Sequence, residues 1–141
     1  MKRGPVKRTL LAVLAVVALM VGLAGPGAAG VLGKRAETVV TIKTQNGEFW
    51  GYLKSPRPAK CADNRKVVLY RQLGKVQSPS TDSKMASDIS SKSGKRYMWS
   101  TGTTGLRHGK FYAKAVRTPD CKPDTSDTVR AATGAIVPPP L

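Results

Sequence analysis

From Glu37 onward the apolar and polar positions alternate with a period of two, the pattern of half-buried strands and not of a helix. In Glu37–Lys43, Val40 and Ile42 share one face while Val39 and Thr41 take the other. Asn46-Gly47 is a turn dipeptide. Glu48–Lys54 then sets Phe49, Gly51 and Leu53 on one side and Trp50 and Tyr52 on the other, until the Pro56 and Pro58 stretch ends the strand. Arg65–Gln72 repeats the pattern, with Val67 and Leu69 opposed to Val68 and Tyr70. Residues 73–83, rich in serine, predict a loop, and Met85–Ser90 a strand. Ser93-Gly94 marks a turn into Lys95–Ser100, where Tyr97 and Trp99 share a face. A loop over Thr101–Gly109 leads to Lys110–Arg117, with Phe111, Ala113 and Ala115 aligned, and a short strand closes near Thr128–Ala131. No stretch beyond the first thirty residues carries a helical stripe. The pattern predicts an all-β fold, a single antiparallel β-sandwich of about seven strands spanning residues 37–132. Its expected core is Phe49, Leu53, Val67, Leu69, Tyr97, Trp99, Phe111 and Ala113.

The N-terminus follows a different rule. Lys2, Arg3, Lys7 and Arg8 precede an apolar run from Leu10 to Leu23, and a string of small residues follows up to Gly30. A basic flank, a short apolar core and a small-residue exit make a secretory signal peptide over residues 1–29. The alternative, an uncleaved anchor, needs about 20 apolar residues to cross a bilayer, and this run is shorter. The expectation is therefore a secreted or envelope-associated protein, with a flexible lead-in at 30–36 and a disordered proline-rich tail at 133–141.

An exported chain changes the reading of its two cysteines, Cys61 and Cys121. In an oxidising compartment a pair in a small domain is expected to bridge. Cys61 precedes the strand at Lys66 and Cys121 follows the strand ending at Arg117. A bridge would make those strands antiparallel neighbours, tied at one edge of the sandwich.

Several motifs occur in a familiar order. Phe49-Trp50-Gly51-Tyr52-Leu53 is a hydrophobic-x-Gly-x-hydrophobic opening, and Val67-Val68-Leu69-Tyr70 a Val-x-Leu-Tyr strand. Gly94 with Tyr97 begins a middle strand, and Gly109-Lys110-Phe111 enters the next. Together they resemble the carboxypeptidase regulatory-like, or transthyretin-like (prealbumin-like), β-sandwich domains of exported bacterial proteins. The middle hairpin departs from that pattern, with Ser91-Lys92-Ser93-Gly94 where an Asp is usual, and an immunoglobulin-like sandwich stays open beside it. The resemblance implies a folding or accessory module and carries over no catalytic residue.

Charge narrows the partners. The chain holds 24 Lys and Arg against 8 Asp and Glu, a formal +16. Without the four cations of the leader, twenty remain against eight, a formal +12. Such an excess attracts polyanions. For an exported protein the expected partner is an anionic polymer, an acidic glycan or a membrane surface, with nucleic acid disfavoured. Another exported protein, recognised through sheet edges, is the alternative. Trp50, Tyr52, Tyr70 and Tyr112 lie on the parity opposite the core. With Lys54, Lys66, Arg71 and Lys114 they form the expected anion or glycan contact. Lys43, Lys95, Arg96, Lys110 and Arg117 extend a basic sheet face. Enzyme chemistry is not expected: His108 is the only imidazole, no Gly-x-Ser-x-Gly elbow occurs, and the aspartates read as turn formers. No metal set or cofactor motif is present.

Overall fold

The structure, a computed structural model, describes residues 33–132; the expected signal peptide and proline-rich tail lie outside them. Two antiparallel sheets pack face to face. The first contains β1 (Val39–Val40), β2 (Lys43–Gln45), β3 (Glu48–Lys54), β6 (Ser91–Ser93) and β7 (Arg96–Thr103). The second contains β4 (Lys66–Arg71), β5 (Ser83–Ile89), β8 (Gly109–Ala115), β9 (Asp124–Thr125) and β10 (Val129–Ala131). Their orders are β1-β3-β7-β6 and β10-β8-β4-β5, with β2 also on β3 and β9 also on β8. Lettered along the chain, with β1 and β2 as A and β5 as C′, these orders read A-B-E-D and G-F-C-C′. That is the pairing order of an immunoglobulin-type sandwich.

β1 and β2 are one edge strand with an interruption. Val40 pairs with Leu53 and Lys43 with Trp50, so the register does not slip. Between them the ladder is rerouted. The Thr41 amide donates to Tyr52 O at 2.9 Å, and the Tyr52 amide donates to Thr41 Oγ1 at 2.9 Å. This leaves the Thr41 carbonyl free to turn inward and accept the indole N–H of Trp99 at 3.0 Å. The indole reaches it across Gly51, the residue paired with Trp99. A Cβ there would stand 1.9 Å from Thr41 O, so only glycine fits the central position of the β3 motif.

The core is the inner face that alternation predicts. Phe49, Leu53, Val67, Leu69, Trp99, Phe111 and Ala113 are all buried, and Tyr97 packs against them half-buried. Phe49 and Phe111 meet across the layers with centroids 4.8 Å apart. On β3 burial alternates strictly, as for a sheet with one wet face. β4 and β8 break the alternation, because their outer residues are covered too.

Cys61 and Cys121 form the disulfide, with Cα atoms 5.6 Å apart. A single helical turn, α1 (Pro58–Cys61), delivers Cys61; one turn has no apolar stripe, which is why periodicity does not predict it. β4 and β8 are antiparallel neighbours as expected. They lie in the middle of their sheet, not at an edge, because β10 and β5 flank them. Ala36, expected in the flexible lead-in, is instead buried and bridged to Cys121, its amide donating to Asp120 O at 2.8 Å.

Candidate anion-binding face

The outer face of the first sheet is a small grid fixed by register. Trp50, Tyr52 and Lys54 project from β3, with Trp50 opposite Ser100 and Tyr52 opposite Met98 of β7. On the other side Lys43 stands opposite Trp50 and Val39 opposite Lys54. Side chains facing each other across such strands lie about 5 Å apart at Cβ, within reach of a common ligand. The Arg96 guanidinium lies over the Tyr52 ring, 5.0 Å from its centroid, a cation–π contact. A groove of about 750 Å³ opens here, reaching Pro58 and the Gly94-Lys95 turn. Its walls carry Lys43, Lys54, Lys92, Lys95 and Arg96 and no carboxylate, with Tyr52 as apolar lining from the outer row and Leu53 and Tyr97 from the inner row that Lys92 shares.

The eight residues expected to form one contact surface therefore divide between opposite faces. Trp50, Tyr52 and Lys54 belong to the first sheet, whereas Lys66, Tyr70, Arg71, Tyr112 and Lys114 belong to the second. Tyr70 and Tyr112 are directly paired, their rings stacked at 5.3 Å, and both are buried. The loop of residues 73–82 folds over them. Tyr112 Oη donates to Asp82 Oδ2 at 2.8 Å, and the same carboxylate accepts the Leu73 and Ser78 amides at 2.9 and 2.7 Å. Those two amides hold the Asp82 carboxyl below its ordinary range, with Tyr112 and Lys110 adding to the effect against the cost of burial. Burial first, then the Asp82 hydrogen bond and charge, push the Tyr112 phenol well above its ordinary value. Arg71 caps the core end, its guanidinium 5.7 Å from the Phe111 centroid and donating to His108 O at 2.9 Å. The two tyrosines are therefore not surface contacts; Arg71 and Lys114 are half-buried and Lys66 is exposed on the same sheet.

Arg65 is the residue the sequence does not reveal. Read as the polar start of a strand, it is buried, and its guanidinium binds no carboxylate. It donates instead to Val116 O, to Cys61 O at 3.2 Å, to Lys122 O at 2.7 Å and to Thr38 Oγ1. Desolvation lowers its pKa. This side chain knits the disulfide end together. Only its place four residues after a bridged cysteine could have hinted at that, and the spacing has no chemistry of its own.

His108 sits exposed in the β7–β8 loop. Among the described residues no group of three or more His, Cys, Asp or Glu side chains could hold a metal ion, and one ion pair, Lys122 with Glu37, is formed. No protein-family model matches this chain, and no curated protein matches it.

Proposed function

We propose that this chain is an exported, non-catalytic binding module that presents the outer face of its first sheet to an anionic polymer such as an acidic glycan. The observation that carries the reading is the composition of the groove: five cations, two tyrosines and no carboxylate around one depression. Clustered cations with low-dielectric walls concentrate polyanions. The aromatic positions Trp50 and Tyr52 supply faces on which sugar rings stack. The contact set expected from sequence is thereby revised to Trp50, Tyr52 and Lys54, joined by Lys43, Lys92, Lys95 and Arg96.

The test compares charge reversals on the two faces. Lys54→Glu with Arg96→Glu and Lys66→Glu with Lys114→Glu change net charge equally. Titration with a polyuronate and a sulfated glycan, with neutral dextran as control, should show affinity falling steeply as salt rises. The first pair should weaken binding at low salt by roughly tenfold or more, about 1.4 kcal/mol, and the second by much less. Salt-independent binding, or equal loss from both pairs, would overturn the reading.

A further inference from the structure

Four large apolar side chains are exposed among the described residues: Val39, Leu73, Val76 and Ile89. Two of them, Leu73 at 63% and Val76 at 75%, stand three residues apart in the loop of residues 73–82. Their exposure is not slack in the chain. The Leu73 and Ser78 amides are held by Asp82, and Gln72 Nε2 donates to Gly74 O at 3.0 Å. Gln77 Nε2 donates to Ser126 O and to Thr128 Oγ1 at 2.8 and 2.9 Å, and Lys110 Nζ to Gly74 O at 2.7 Å. A loop braced at both ends and in the middle therefore holds two aliphatic side chains out in solvent.

The charge around this tip is mostly positive. Lys75 lies between the two apolar residues, Arg71 roots the loop and Lys110 is bonded to its backbone. The loop's own carboxylate, Asp82, points inward with every bond accounted for, and Asp127 is an exposed carboxylate beside the Ser126 and Thr128 joint. Isolated exposed apolar residues need no explanation, but a pair on a rigid tip, with one lysine between them and another bonded to the loop backbone, does. We infer that this loop is a contact site for an anionic lipid surface, with Leu73 and Val76 entering the interfacial region. Lys75 and Lys110 then lie at the level of the headgroup phosphates, their stems along the apolar layer. A lipid surface fits better than a protein pocket because the tip offers protruding aliphatic groups and positive charge. Pre-bracing lowers the ordering cost of such a contact. The inference is independent of the polymer reading, which rests on the other sheet.

The experiment uses the full chain carrying an environment-sensitive fluorophore at Val76→Cys, and separately at Ser93→Cys in the first-sheet hairpin. The position-76 probe should shift to the blue with phosphatidylglycerol-containing vesicles and not with pure phosphatidylcholine, while the position-93 probe stays unchanged. Adding Leu73→Asn should raise the lipid concentration for half-shift about tenfold, since a buried leucine is worth that much or more. Lys54→Glu with Arg96→Glu should leave the position-76 response intact, separating this site from the polymer face. A silent position-76 probe in vesicle-bound protein, an unchanged curve with Leu73→Asn, or a shift produced by another protein without lipid would overturn the inference.

Discussion

Replacing Gly51 with alanine tests the account of the first sheet at its tightest point. The added Cβ would stand 1.9 Å from Thr41 O, 2.6 Å from Thr41 C and 2.8 Å from Trp99 Nε1. None of these atoms is the loose end of a flexible side chain. The Thr41 carbonyl is held by the indole at 3.0 Å, and its residue is tied to Tyr52 by two further hydrogen bonds. Trp99 itself is buried. Relief therefore requires moving the edge strand outward and breaking the indole bond. Overpacking of this kind costs about 1–3 kcal/mol, and a buried N–H left without its acceptor costs about 1–3 kcal/mol more. Alanine recovers roughly 0.5 kcal/mol by narrowing the unfolded ensemble. The net expectation is a loss of about 3 kcal/mol, against a total of roughly 5–15 for a domain.

At about 4–8 °C per kcal/mol for a domain of this size, the melting temperature should fall by roughly 12–24 °C. Urea unfolding of the oxidised chain, followed by tryptophan fluorescence, gives the free energy directly. Gly94→Ala is the matched control. Its φ of 59° is left-handed, but no atom lies within 4 Å of the added Cβ, so only conformational strain of about 1 kcal/mol applies. A Gly51→Ala loss no larger than that of Gly94→Ala would refute the close-approach argument.

Two further outcomes follow from the second sheet and the disulfide. Asp82 has its pKa lowered from 3.8, so its contribution is complete above that value and is lost as pH falls through the folded pKa. Tyr112 has its pKa raised from 10.0, so its contribution is complete below that value and is lost as pH rises toward the folded pKa. Urea midpoints across pH should thus decline at both extremes, with Asp82→Asn flattening the acid limb and Tyr112→Phe the alkaline one; limbs unchanged by these variants would contradict the assignment. Reduction of Cys61–Cys121, which closes a loop of 60 residues, should cost about 4 kcal/mol in the chain-entropy model. Amide exchange should then rise first at Ala36 and Lys122, whose bonds flank the bridge, and protection unchanged there would count against that coupling.

Alternation made the inner faces legible because a strand's side chains can point only two ways. Phe49 and Leu53 needed no more than their parity to be assigned to the core, and Asn46-Gly47 no more than its turn preference, visible in φ values of 50° and 82°. The same rule misplaced Tyr70 and Tyr112. Parity tells which face a residue takes, but not whether a distant loop folds over that face. The cover depends on Asp82 meeting two amides and a phenol, a set assembled only by tertiary structure. Arg65 was hidden for a related reason. Four oxygens from three chain segments and α1 converge on one guanidinium, and no local pattern announces such a convergence. The interrupted edge strand was legible in its two apolar positions, Val40 and Ile42, but not in the carbonyl turned toward Trp99.

The alternation assigns both aromatic pairs to one contact surface, and what separates the two outer faces that carry them is energetic. Exposing Tyr70 and Tyr112 would require lifting the loop of residues 73–82. That would part Tyr112 from Asp82, release the two amides that Asp82 holds, and break the Gln77 and Lys110 braces. Each net hydrogen bond is worth about 1 kcal/mol, and those to a charged group about twice that. The cost of opening is thus comparable with the stability of a whole domain. The loop is a fixed cover, not a lid, and a ligand has no access to the aromatic pair beneath it. Trp50 and Tyr52 are half-buried, against the full burial of the other pair, and the cation over Tyr52 is exposed. A ligand that needs both an aromatic face and positive charge is therefore directed to the first sheet, while the second sheet supplies the rigid base that its loop needs to hold Leu73 and Val76 in solvent.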